Sequence, residues 1–254
     1  MDTQIQRFAV ANLRRRPLVV ETGGFVAGFS PDTDSPYLNY ATPLPGAAPT
    51  ANDVAGLVAQ FRDRGLLPRL EFAPQAAPRV EPALRAAGFT TEAVHEYLVC
   101  TPDTLTVPRA VSVPRVQTPA TDEQYAALDA ALGEAFGDGF ASSPEGVARL
   151  RRMQDDGGAV RFVPAADGGC AGGAACSPPA EDTAELGGVG TRPAYRGRGI
   201  ATAVTAALAE AMFVQGAGSV WLEYSGDGSR RVYERVGFRP QGTRLYLSLP
   251  VQRS

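Results

Sequence analysis

The 254 residues contain no lysine, a single histidine (His95) and only three cysteines. Cys100, Cys170 and Cys176 are odd in number and lack C-x-x-C spacing, so no metal site is expected. Reduced, cytoplasmic thiols are the simplest account of them. With one histidine, a Ser–His or Cys–His catalytic group is not expected either. No run approaches ~18 consecutive apolar residues free of charge, so nothing is expected to span a membrane. Met1 to Arg16 lacks the continuous apolar segment of a signal peptide. A strong charge of either sign is also missing. The 24 basic residues, all arginine, face 27 acidic ones, for a net charge of −3. That argues against nucleic acid and suits a neutral or cationic small partner.

What is present is an ordinary soluble composition, 44% hydrophobic and 20% charged, which is enough for a sizeable core. The length allows one large domain or two of ~125 residues.

The most informative stretch runs from Glu185 to Gly237. A strand over Thr183 to Thr191 stops at Pro193, which has no backbone N–H. Tyr195-Arg196-Gly197-Arg198-Gly199-Ile200-Ala201 follows, and the glycines let the chain turn with no side chain in a ligand's way. Ile200, Val204, Leu208 and Met212 then recur at helical spacing, which puts the glycines at a helix N-terminus. Free N–H groups and the positive end of the helix dipole make this a place for a phosphate or pyrophosphate. Gly197 to Thr202 also fits G-x-G-x-x-T, the start of a dinucleotide fingerprint. Against that, the third glycine is missing, Pro193 and Arg196 separate strand from turn, and no further strand–helix repeats follow.

Arg-x-x-Gly-x-Ala at Arg196 to Ala201, after a strand and Pro193, resembles the acetyl-CoA pyrophosphate turn of the GNAT superfamily of N-acetyltransferases. Ser219 to Ser225 reads as the next strand. Arg231-Val232-Tyr233-Glu234-Arg235-Val236-Gly237-Phe238 resembles the helix carrying that family's tyrosine, closed by its Gly-Phe. The resemblance covers Asp122 to Pro250. One departure is plain: where the family usually has a cofactor-contacting asparagine, this chain has Gly226.

The resemblance implies acetyl transfer from acetyl-CoA to a primary amine of a small molecule or peptide, by direct attack and without metal. It places the carrier on Arg196, Gly197, Arg198, Gly199, Ile200 and Ala201, with Val189, Gly190 and Thr191 at the end of the preceding strand. Backbone N–H groups near Val189 or Gly190 would stabilise the carbonyl oxygen. Gly187, Gly188 and Gly190 fit a close approach to the backbone, or a small-residue strand under a helix. Tyr233 is the expected general acid and Glu185 the expected base, working through water. Glu223 and Tyr224 stand in reserve, Tyr224 also as a substrate contact. Phe136, Asp138 and Phe140, between two helices, would line the acceptor site or be core aromatics and a solvated acid. Two other functions fit: a non-catalytic acyl-CoA-binding or sensor module, and acyl transfer to a thiol–sugar conjugate of the mycothiol synthase type. The partner set is a small amine, with no nucleic acid and no membrane, for a monomer or homodimer.

The first half is a fainter copy of the second. Leu84-Arg85-Ala86-Ala87-Gly88-Phe89 and a strand with Tyr97 mirror Tyr233 to Phe238 and a strand with Tyr246. Leucine stands where the second copy has Tyr233, and the arginine–glycine turn is absent. In the first half, an initial helix or strand, strands near Leu18 to Glu21 and Tyr37 to Tyr40, and a helix capped by Asp53 are expected. A strand at Leu70 to Phe72, a short helix to Ala87 and a strand over Val94 to Cys100 complete it. Thr101 to Pro119, with four prolines, reads as a linker in which Val111 to Val116 opens an edge strand. The expected fold is α/β (α+β), in two GNAT-like lobes that are each a mixed, mostly antiparallel sheet flanked by helices. Residues 1–107 form the degenerate lobe and 108–254 the catalytic domain.

Overall fold

The computed structural model describes residues 1–108, 115–137 and 139–250. The chain divides into two compact units, Met1–Tyr97 with Gln241–Ser254, and Leu98–Pro240.

The first unit begins with helix α1 (Asp2–Leu13), then strands β1 (Leu18–Thr22), β2 (Phe25–Phe29) and β3 (Tyr40–Pro43). Helix α2 (Ala51–Arg62), strand β4 (Arg69–Phe72), helix α3 (Val80–Ala86) and strand β5 (Thr90–Cys100) follow. The chain reads as a helix at its start, where the sequence left helix or strand open. Strand β2 was not expected. Gly23 and Gly24, both at positive φ, form a two-residue hairpin loop that pairs Thr22 with Phe25. Helix α2 starts at Thr50 rather than Asp53. The Thr50 hydroxyl accepts from the Asp53 N–H at 3.2 Å, and the Asp53 carboxylate accepts from the Thr50 N–H at 2.8 Å. This is a reciprocal capping box.

The second unit holds α4 (Asp122–Phe136), α5 (Pro144–Asp155), β6 (Ala159–Pro164), β7 (Cys170–Cys176) and β8 (Thr183–Thr191). Helix α6 (Ile200–Val214), strand β9 (Ser219–Glu223) and helix α7 (Asp227–Val236) lead to the last strand, β10 (Arg239–Ser248). The strand over Thr183–Thr191 and the helix from Ile200 fall where the sequence places them, and side-chain caps start the two earlier helices: Thr121 caps α4 and Ser143 caps α5 ahead of Pro144. The expected α6 stripe of Ile200, Val204, Leu208 and Met212 is buried throughout and packs with Leu222, Val236 and Phe238. Of the edge strand expected over Val111 to Val116, four residues lie outside the described residues. Gln117 forms a single antiparallel bridge to Phe162.

Each unit has a mixed, mostly antiparallel sheet. In the first, β1–β2, β2–β3 and β4–β10 are antiparallel and β3–β4 is parallel. In the second, β6–β7 and β7–β8 are antiparallel and β8–β9 is parallel. The pairing partners depart from a cut at 107/108. Strand β4 takes as its neighbour β10, from the far end of the chain, with Leu70 opposite Leu247. Leu98–Cys100 of β5 belong to the second unit, where Leu98 and Cys100 join its core and β5 is the sheet neighbour of β9. Most of β10 thus belongs to the first unit, and the end of β5 to the second. No helix among the described residues is long and apolar enough to cross a membrane.

Candidate functional site

The site grows from the way β8 and β9 part. They pair in parallel only from Thr183–Ser219 to Glu185–Trp221. Beyond Glu185, β8 bulges against β7, where the register shifts between Gly173 and Ala175, and Gly188 sits at φ +63°. β8 then runs to Thr191 with its inner edge turned away from β9. A cleft of about 630 Å³ opens there, a size usual for small-molecule sites.

The floor of the cleft is the glycine turn. Gly197 and Gly199 both hold φ +76°, a conformation that side chains with a Cβ resist. Gly199 is the N-cap of α6 and no side chain caps that helix. The first-turn N–H groups of α6 therefore face the cleft, where Ile200, Ala201 and Thr202 line it. Arg196 fastens the turn: it donates to the carbonyls of Thr191 and Ala135, each at 3.3 Å. Arg198 donates to the Ala194 carbonyl at 3.1 Å and lies over the Tyr195 ring, outside the cleft lining. Of the expected carrier contacts, Val189, Gly190, Thr191, Arg196, Gly197, Gly199, Ile200 and Ala201 all line the cleft.

Gly190 has a second reason to be glycine. A Cβ there would stand 2.8 Å from Leu132 Cδ2 and 3.0 Å from Ala135 Cβ, so its bareness lets α4 close on the strand. Gly187 and Gly188 have open space around a virtual Cβ. Thr191 carries a different signal. Its hydroxyl oxygen is shielded from solvent and has no hydrogen-bond partner among the described residues.

Tyr233 lies on α7, 8% exposed, its ring edge-on to Phe238 with centroids 6.2 Å apart. Burial raises its phenol to about 12, so it stays protonated at neutral pH. Its neighbours Ser229 and Val232 line the cleft, while Tyr233 itself does not. Glu185 is half-buried on β8 at the last paired position, and its N–H donates to the Ser177 hydroxyl at 2.9 Å. It too stands outside the cleft lining. Tyr224, just past β9, accepts a hydrogen bond from Arg230 at 3.2 Å. Phe136 is exposed and lines the carrier cleft from the end of α4. Phe140 is exposed and covered by Arg192, whose Cζ lies 4.2 Å from the ring centre. Asp138 lies outside the described residues.

Several cleft residues were missed from the sequence. Ser225, Gly228, Ser229, Val232 and Arg235 form its second wall. Their three- and four-residue spacing along α7 was the available signal. Arg192 was missed as well. It donates to Glu134 at 2.7 Å and Asp167 at 3.1 Å, tying the end of β8 to α4 and to the β6–β7 hairpin. Gly226 holds φ +78° at the N-cap of α7. Ser229 turns back from the wall to donate to the carbonyls of Ser225 and Gly226.

The equivalent place in the first unit is closed. β3 and β4 share one parallel pair, Ala41–Leu70. The wedge beside it holds Gln6, whose amide donates to Thr42 Oγ1 at 2.7 Å and the Pro43 carbonyl at 2.6 Å. Its oxygen accepts from the Ala73 N–H at 3.0 Å. The helix end beside it, the start of α2, carries the Thr50–Asp53 capping box.

All three thiols are buried and pushed upward by burial, Cys170 to about 11, which leaves them poor nucleophiles at neutral pH. Among the described residues no cluster of three His, Cys, Asp or Glu side chains could hold a metal ion.

Residues 126–238 match the model of the acetyltransferase (GNAT) family. Among solved structures, the chain is similar to a GCN5-related N-acetyltransferase from Kribbella flavida, with 25% identity and a TM-score of 0.81 over 99% of this chain and 96% of that one. It also resembles a GCN5-related N-acetyltransferase from Sphaerobacter thermophilus, at 18% identity and TM-score 0.61 over 91% and 78% of the two chains. A tandem GNAT protein from the clavulanic acid biosynthesis pathway matches at 14% identity and TM-score 0.63, over 91% and 80%. No curated protein sequence matches the chain.

Proposed function

Because residues 126–238 match the GNAT acetyltransferase family model, we propose that the second unit moves an acetyl group from acetyl-CoA to a primary amine of a small molecule or peptide. The observation that carries this is the uncapped start of α6 behind two left-handed glycines, at the floor of a cleft beside the parting of β8 and β9. Thr191, whose hydroxyl has no hydrogen-bond partner among the described residues, stands at the edge of that cleft. When bound, acetyl-CoA supplies an activated thioester.

The chain's own residues then have four tasks. The N–H groups of Ile200, Ala201 and Thr202 hold the diphosphate, with the α6 dipole favouring its charge. The free edge of β8 at Val189 and Gly190 orients the thioester and stabilises charge on its oxygen. Glu185, where β8 leaves β9, draws a proton from the amine through water. Tyr233, kept protonated by burial, gives a proton to the departing sulfur. Holding both reactants in line supplies ~7–11 kcal/mol of barrier lowering, against ~10²–10⁴-fold in rate from one acid or base. The carrier turn therefore matters most.

The first unit keeps the fold without the chemistry. The three free buried thiols suit a reducing compartment, and we place the protein in the cytoplasm.

A thermal-shift titration with acetyl-CoA tests the reading, followed by a panel of amines with thiol release as the readout. At a hundred times Kd, the carrier adds about 2.7 kcal/mol, several degrees in Tm. No shift would remove the carrier assignment. A shift without thiol release on any amine would leave a binding module.

A further inference from the structure

The cleft is lined by two arginines that are in very different situations. Arg196 is engaged by the carbonyls of Thr191 and Ala135, within the turn it fastens. Arg235 is exposed, and no carboxylate or carbonyl meets its guanidinium among the described residues. Its neighbour Glu234 is taken by Arg230, Nε to Oε1 at 2.7 Å. Gly228, Ser229, Val232 and Arg235 face the cleft from one side of α7. Arg235 lies about 10 Å farther along that helix than Gly228. The second wall thus ends in an uncompensated positive charge, facing a cavity whose floor already suits a diphosphate. A concave site concentrates the field of such a charge, and guanidinium groups bind phosphate oxygens through paired N–H donors.

Coenzyme A carries one more anion than its diphosphate, a phosphomonoester on the ribose. Resting on the carrier reading above, we propose that Arg235 receives this phosphomonoester, so that the cleft selects coenzyme A over 3′-dephospho-coenzyme A. The other arginines of α7 do not compete for the role: Arg230 is paired with Glu234, and Arg231 lies outside the lining.

Calorimetric titration of the full chain with coenzyme A and with 3′-dephospho-coenzyme A tests the inference. The wild type should bind coenzyme A about tenfold more tightly or better, the scale of one charge-assisted contact. In Arg235→Gln the two ligands should bind within about twofold of each other, with dephospho-coenzyme A unchanged from wild type. Arg235→Lys should keep part of the preference, as it keeps the charge without the fork. Equal wild-type affinities overturn the proposal. So does an Arg235→Gln variant that loses both ligands equally, which would assign Arg235 to the diphosphate. If neither ligand binds the wild type, the carrier reading falls together with the inference built on it.

Discussion

The carboxylate of Asp53 accepts the Thr50 N–H at 2.8 Å, a side-chain cap at the start of α2 that the start of α6, behind Gly199, lacks. A negative group is already seated where a diphosphate would have to go, and Gln6 fills the wedge beside it. The expected binding stoichiometry is therefore one coenzyme A per chain, read by calorimetry. Thr50→Ala should leave that affinity unchanged. A stoichiometry of two would show that the first unit still opens.

Gly199, in the left-handed region at the start of α6, resists a side chain. At φ +76° a β-branched residue is strained by about 1–3 kcal/mol, and its methyls would project where the first-turn donors lie. Gly199→Val should abolish coenzyme A binding while leaving the circular dichroism spectrum native. Unchanged affinity in a folded variant would mean that the carrier binds elsewhere.

Tyr233→Phe should lower kcat at least tenfold with carrier KM within about twofold of wild type. The raised phenol also predicts a stability effect. An unfolded tyrosine titrates near 10 and the folded one near 12, so between those values the folded state binds the extra proton. Stability conferred by the neutral phenol is intact below about 10 and lost as pH rises to 12, by roughly 1.4 kcal/mol per unit. Tyr233→Phe should flatten that part of the curve in urea titrations. The pH–rate profile should show no limb from Tyr233 at or below pH 9.

Glu185→Gln should slow turnover by about 10–100-fold at neutral pH, with the optimum moved upward. Without the carboxylate, the amine must lose its proton to solvent, which needs a higher pH. A variant that is slow by the same factor at every pH would make Glu185 a structural residue.

Arg192→Met should raise KM for the carrier severalfold and lower Tm. The lost guanidinium joins Glu134, Asp167 and the Phe140 ring, and it follows Thr191 directly in the chain. Carrier KM equal to wild type would confine Arg192 to the hairpin.

Much of the second unit was readable because its signals are local. Pro193, the paired glycines and the stripe from Ile200 to Met212 mark strand end, turn and helix within a short span. Thr121 and Ser143 announce their helices directly. The parting of β8 from β9 was only implied by resemblance, since nothing in the strand sequences says where pairing stops. The wall formed by Ser225, Ser229, Val232 and Arg235 has no motif of its own, and the motif residue Tyr233 sits on the neighbouring, buried face of α7. In the first unit, Gly23-Gly24 is the hairpin loop that creates β2. The partner of β4 had no local trace at all. Leu245 and Leu247 alternate with polar residues like any half-buried strand, and only tertiary packing assigns them to the first core.

That last assignment bears on how the chain comes into being. During synthesis, β4 emerges early but must wait for Leu245–Ser248, far later in the sequence, before its ladder is complete. The first unit is the earlier to be translated and yet cannot be the earlier to finish. Long-separation pairing of this kind slows folding, and a ribosome-stalled or truncated product would display an unpaired β4 edge. For the same reason a cut between the sequence halves would separate β4 from its partner β10.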